Sequence, residues 1–274
     1  MSTVAISSTT GSLGDEVGLA LARTLTLQFA DREIIAVAAK RFHEDLLPLI
    51  HVTEERPKLL ERLRHSERPY VAAVEASVLE MAARDNVVLC GRGAAFVLRG
   101  IPHVLRVRMD APEPVRAQRV HQRDGLTYDA ALDFVRRTDH ERAARIRFLY
   151  AIDWHDPLGY HIVLNTDQIT VETAVQTLRA LLETHRFVGT AESRQQLTDQ
   201  SIVAQAKVAL LAEPATRTLG LSVSSSRGYV LIGGMVDRED QRETAYNIVR
   251  AIPGVADVLS EIVVRPRVHV APTI

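Results

Sequence analysis

The sequence predicts an α/β fold, a parallel sheet with helices on both faces, followed by a small α+β domain. Three observations carry this expectation. Short apolar runs at Val4–Ser7, Asn86–Cys90 and His103–Met109 alternate with stretches whose apolar residues recur at helical spacing, as in sheets buried on both sides. A glycine-rich turn, Gly11-Ser12-Leu13-Gly14, joins the first run to a helix. Beyond the polar stretch Phe187–Asp199 the segments become short and alternating, which sets a first domain at 1–186, a linker at 187–199 and a second domain at 200–266.

The helix after the glycine turn runs from about Gly14 to Phe29, and residues 31–84 read as helical throughout. Pro112 or Pro114 starts a helix through Arg123, because proline in a first turn forfeits no hydrogen bond. Thr127 caps a long helix over Tyr128–Tyr150. Tyr160–Asn165 is the last strand of this half and Thr170–His185 its last helix. In the second domain a helix at Ser201–Leu211 precedes strands at Leu219–Ser225 and Tyr229–Ile232. A helix over Arg238–Ala251 and a strand over Val255–Val264 complete it.

The 274 residues are 46% hydrophobic and 24% charged, with a formal net charge of −1, ordinary for a soluble globular chain. That balance supplies no field favouring nucleic acid or an anionic membrane, so neither is expected as a partner. Of 33 basic residues only Lys40, Lys58 and Lys207 are lysine, so arginine dominates any anion recognition. A lone cysteine, Cys90, excludes an internal disulfide, reads as an inert core thiol and fits a reducing, cytoplasmic location. The ten histidines show no metal-ligand spacing, and no side-chain metal site is expected.

The glycine turn stands where a phosphate-binding loop would sit, with glycines that let backbone amides turn inward. A working loop also needs a lysine for the phosphates and a hydroxyl for Mg²⁺. Here the chain has no lysine before Lys40, and Gly14-Asp15-Glu16 occupies those places. Two carboxylates in the first helical turn suit the helix dipole but repel phosphate.

Residues 1–185 resemble the cytidylate-kinase-like family, relatives of bacterial CMP kinases among the P-loop nucleoside monophosphate kinases. The matching stretches are Ile6–Gly18, Val88–Ala94 (VLCGRGA), Ala111–Arg119 (APEPVRAQR), Thr138–Arg142 (TDHER), Asp153–Pro157 (DWHDP) and Tyr160–Thr166. The resemblance implies a P-loop kinase-like sheet and phosphoryl transfer from a nucleoside triphosphate, ATP with Mg²⁺, to a nucleoside monophosphate. It places Gly11, Ser12 and Gly14 in the phosphate loop and Arg92 at the acceptor. Arg136, Arg137, Asp139, Arg142 and Arg145 fall in a lid whose arginines, chiefly Arg137, Arg142 and Arg145, would neutralise the transferring group. Asp153 and Asp156 match an acidic pair beside that lid. The family's kinase-like members commonly carry Arg at the positions of Ser8 and Asp15, and this chain has neither.

The second domain, Ser201–Val264, resembles the BON module through Gly228–Gly234 (GYVLIGG), Val236-Asp237 and Ile252–Val255 (IPGV). That resemblance implies phospholipid or protein partners. Six basic and seven acidic residues over this span favour protein over lipid. Three functional readings stand at this point: a weakened nucleotide kinase, a non-catalytic nucleotide or phospho-ligand sensor reporting through the BON domain, and an adaptor with an empty pocket. The glycines also fit a plain strand-to-helix turn with Ser12 as the helix cap. The lid arginines also fit a solvated helix face.

Overall fold

A computed structural model describes residues 2–31, 67–91 and 93–265, with the side chains of 67–70 left out. The chain divides into two units, Met1–Arg194 and Gln195–Ile274. In the first, β1 (Thr3–Ser8), β2 (Gln28–Ala30), β3 (Val87–Cys90), β4 (Val104–Asp110) and β5 (Ile162–Asn165) form one parallel sheet in the order β2-β3-β1-β4-β5. Because every strand runs the same way, all carboxyl ends open on one edge, and β1 in the centre delivers its loop there.

Helices α1 (Gly14–Leu25) and α6 (Val171–Leu182) cover one face, where Ile6, Val88, Val107, Met109 and Leu164 meet Val17, Leu21, Ala174 and Leu178. On the other side of the sheet lie α2 (Glu67–Ala83) and the single turn α3 (Ala94–Val97). Helix α4 (Glu113–Asp124) pairs with the long α5 (Tyr128–Tyr150) through buried Val120, Ala131 and Val135. The Thr127 hydroxyl accepts the Ala130 amide and caps α5, as its position predicted.

Two elements differ from the sequence expectation. The first helix stops at Thr26, which takes a left-handed φ of 56°, and Gln28–Ala30 then pairs with β3 as a strand. Three residues are too few to carry a period-2 signal, so only the pairing reveals this strand. Most of the expected helical stretch 31–84 lies outside the described residues, and 67–83 of it is helix.

In the second unit, β6 (Ser222–Ser226), β7 (Tyr229–Val236) and β8 (Asp257–Val264) form a three-stranded sheet in that order. The β6–β7 pair is antiparallel and the β7–β8 pair parallel. Helix α7 (Ala191–Ala212) and α8 (Glu239–Arg250) pack on one face, around Ile202, Ala206, Ala245 and Val249. Helix α7 begins ten residues before the expected Ser201, so residues 191–199 of the polar stretch are helical. Its start is a reciprocal cap: the Ser193 amide donates to the Thr190 hydroxyl, and the Thr190 amide to that of Ser193. Asp199, within this helix, accepts from the Ser225 hydroxyl and from the Arg227 and Gly228 amides, pinning the β6–β7 turn.

Candidate functional site

All five carbonyls of the loop from Ser8 to Ser12 are hydrogen-bonded, four of them by residues of other elements. Arg142 donates to Ser8 O at 3.1 Å, Arg116 to Thr10 O at 3.1 Å and Arg119 to Gly11 O at 3.2 Å. The Ser12 hydroxyl takes Thr9 O at 2.7 Å, and Thr166 Oγ1 takes Ser12 O at 3.1 Å. Three of the loop's amides are already engaged, Thr9 N–H on the Met109 carbonyl, Thr10 N–H on Asp139 and Ser12 N–H on the Thr9 carbonyl, so the anion-binding end of this turn is the start of α1. The opening amides of α1 have no intrahelical partner.

Two glycines are demanded by this geometry. Gly11 has φ +79°, and a Cβ there would lie 2.8 Å from the Arg116 carbonyl. A Cβ on Gly14 would lie 2.3 Å from Ser8 Cβ. Position 14 therefore excludes lysine while residue 8 carries a side chain, which supplies a physical reason for the missing loop cation. Leu13 caps α1 in the left-handed conformation, φ 61°, a strained state for leucine. Ser12 does not cap the helix, because its hydroxyl is spent on the Thr9 and Met109 carbonyls.

Above the loop lies a cleft of about 990 Å³. Gly11, Ser12 and Gly14 line it from the loop side, and Arg137, Arg142 and Arg145 from α5. Its far end is apolar, with Val71, Val74, Phe96, Ile146, Leu149 and Tyr150. Asp15, Glu16, Asp31 and Glu141 bring carboxylates into the same space. Asp15 and Glu16 help raise Arg123, whose larger support is its own hydrogen bond to Asp124. Burial, joined by the fields of Asp15 and Asp31, pushes the Cys90 thiol well above its ordinary range.

Four expected residues lie elsewhere. Asp139 is behind the loop, accepting the Thr10 amide at 2.9 Å and pairing with Arg116. Residues three apart on a helix differ by about 60°, enough to turn Asp139 to the loop while Arg142 and Arg145 face the cleft. Asp153 is exposed and accepts the His155 amide, and Asp156 likewise accepts that of Leu158, so both build turns. Arg136 points away, into an exposed pair with Glu113. Arg92 lies outside the described residues.

Other contributors escaped the sequence reading. Arg116 and Arg119 frame the loop from α4, and their three-residue spacing straight after a strand was the available signal. Trp154 lines the cleft, donates to Ser7 Oγ at 2.9 Å and carries the buried Arg108 guanidinium 4.0 Å over its ring. Nothing in the local pattern announced that stack, since Arg108 and Trp154 are 46 positions apart.

Comparison with known proteins agrees with this architecture. Residues 3–168 match the family model described as cytidylate kinase-like family, and residues 198–266 match that of the BON domain. The cytidylate kinase of Pyrococcus horikoshii is 29% identical over 123 residues, 45% of this chain, so the match spans only 63% of that enzyme's length. The cytidylate kinase of Ignicoccus hospitalis is 28% identical over 183 residues, covering 66% of this chain and 99% of the enzyme. A crystal structure of an uncharacterized protein from Eubacterium ventriosum superposes with a TM-score of 0.54 at 18% identity, covering 68% of this chain and 100% of that one. That likeness speaks for the fold. With a family model matching well over half its length, on a parallel-sheet scaffold with this loop, the chain belongs to the cytidylate kinase-like family and carries a BON domain after it.

Proposed function

We propose that the first domain binds a nucleotide in the cleft, with the phosphates on the opening amides of α1 and the lid arginines, and transfers phosphoryl groups slowly. The observation that carries this is one cleft lined by the glycine turn and the start of α1 together with Arg137, Arg142 and Arg145. The opening amides of α1 would hold the donor, the three arginines would spread the charge of the transferring group, and Arg92 would position the acceptor. Mg²⁺ accompanying a triphosphate is usually bound by one or two carboxylates plus phosphate oxygens. Asp15, a hard oxygen donor lining the cleft, fits that role, and the ion would neutralise phosphate charge.

The Ser8–Gly14 contact favours a second reading, a non-catalytic sensor that signals through its BON domain. Without a loop lysine, and with Asp15 and Glu16 beside the phosphates, positioned positive charge is scarce where transfer needs it. Trp154 is the chain's only tryptophan and lines the cleft, so its fluorescence reports occupancy. Titration with ATP, CTP, CMP, dCMP, UMP and AMP, with and without Mg²⁺, is expected to show saturable binding. A coupled assay with the same acceptors is expected to show turnover far below tens per second. Saturation without any turnover selects the sensor; no saturation with any nucleotide refutes both readings.

A further inference from the structure

Alternation along β4 gives its two faces different surroundings. Leu105, Val107 and Met109 enter the core with α1 and α6, so Arg106 and Arg108 turn to the opposite face. Arg108 is supported there. Its guanidinium lies 4.0 Å over the Trp154 ring and 5.9 Å over that of Tyr160, with Asp110 at 3.4 Å. Arg106 has no such support. Its Nε and Nη1 are buried without a hydrogen-bond partner, and no carboxylate pairs with it among the described residues. Burial first, and then the charge of Arg99, push it below its ordinary range, with only Tyr160 acting the other way. A charge drawn out of water without a counter-charge is costly, and this one stands near a second cation.

His161, at the start of β5, shows what kind of group is missing. Its ring packs against Phe187 with 5.2 Å between centroids, which fixes its orientation. Its Nδ1 accepts the Arg106 backbone N–H at 3.1 Å, so the neutral ring carries its proton on Nε2. Partial burial, and then the Arg106 charge, hold the ring below its ordinary value and keep it neutral. That Nε2 stands 3.2 Å from Arg106 Nη2, in a contact open to solvent. Two N–H donors therefore face one point with no acceptor between them.

We propose that a phosphate group binds at this point, accepting from Arg106 Nη2 and His161 Nε2, with the Arg99 charge in support. The site is separate from the cleft, which neither Arg106 nor His161 lines. Neither Arg99 nor Arg106 pairs with a carboxylate among the described residues, and two such arginines match a phosphate better than a singly charged carboxylate. The ligand is either free phosphate or a small phosphomonoester, since both present the same oxygens.

Long-range proton–nitrogen NMR of the full chain with labelled histidine, assigned with His161→Gln, reads this site directly. Without phosphate, His161 is expected with its proton on Nε2. Sodium phosphate should move that resonance saturably, and sodium chloride at matched ionic strength should not. Arg142→Ala, in the cleft, should leave this response unchanged, which separates the site from the nucleotide reading. Arg106→Gln should weaken phosphate binding at least about tenfold, as expected for loss of a hydrogen bond to a charged group. Arg99→Gln, at an exposed position, should weaken it in the same direction and keeps the test valid if thermal melts show Arg106→Gln unfolded. Glycerol phosphate acting as well as phosphate names a phosphomonoester and phosphate acting alone names the free ion; either upholds the site. A proton on Nδ1, a shift reproduced by chloride, or an affinity indifferent to both arginine substitutions would each overturn the proposal.

Discussion

Asp139→Ala tests the claim that α5 is locked to the loop. The carboxylate makes two contacts, an ion pair with Arg116, whose other carboxylate neighbour Asp110 stands farther off at 3.9 Å, and acceptance of the Thr10 amide. Both partners are buried, with Arg116 7% and Asp139 11% exposed at the side chain. Breaking a buried pair by removing one partner costs about 3–5 kcal/mol when the other charge is stranded, and the more distant Asp110 compensates Arg116 only in part. The orphaned Thr10 amide has a penalty of about 1–3 kcal/mol by itself, and since the two share one network they overlap rather than add. A loss of about 3–5 kcal/mol is therefore expected. Asp139→Asn should lose less, because an amide oxygen still accepts the Thr10 N–H. The assay is urea unfolding followed by Trp154 fluorescence, which reports the first unit in a two-unit chain that need not unfold in one step. A loss under about 1 kcal/mol for Asp139→Ala would refute the lock, because such a value belongs to a solvent-exposed pair.

Three further outcomes follow from the same geometry. Gly14→Lys by itself should destabilise the first unit or abolish its folding, and Ser8→Gly in the same chain should restore stability by removing the Cβ contact; thermal melts of the single and double variants decide this. Arg142→Ala should weaken triphosphate binding, read by Trp154 fluorescence, by about tenfold or more, in line with about 1.5–3 kcal/mol for a hydrogen bond to a charged group. Unchanged affinity would refute the assignment of Arg142 to the phosphates. Burial pushes the Asp199 carboxyl up, but hydrogen bonds from Gly228, Ser225, Arg227 and Gln195 more than offset it and hold the group below its ordinary 3.8. A carboxyl depressed on folding contributes stability above its unfolded value and loses it as pH falls through the folded one. The second unit should therefore weaken below about pH 4, and Asp199→Asn, measured by melts across pH, should flatten that dependence.

Much of the fold was legible because its signals are local. The short apolar runs of β1 and β3, and that of β4 with its alternating Arg106 and Arg108, carried the pattern of buried strands, and Thr127 announced the start of α5 three residues before the amide it accepts. The glycine loop was legible too, as was the absence of its lysine. Strand β2 was not, since three residues gain their structure only by pairing with β3. The start of α7 was misplaced because a polar sequence hid the Thr190–Ser193 cap.

The sequence by itself determined most of the elements, with β2 the exception, the two domains' resemblances and the residue types at the loop, all of which depend on neighbours within a few positions. Only the tertiary structure decided what those residues touch. Helical rotation turned Asp139 toward Thr10 and Arg116, 129 and 23 positions away, while its neighbours Arg142 and Arg145 reached the cleft. Packing brought Ser8 against Gly14, so a missing lysine became a steric consequence rather than a bare absence. The physical reason is common to both: side-chain identity is written in the chain, but the partner that satisfies a buried charge or fills a contact is chosen by folding.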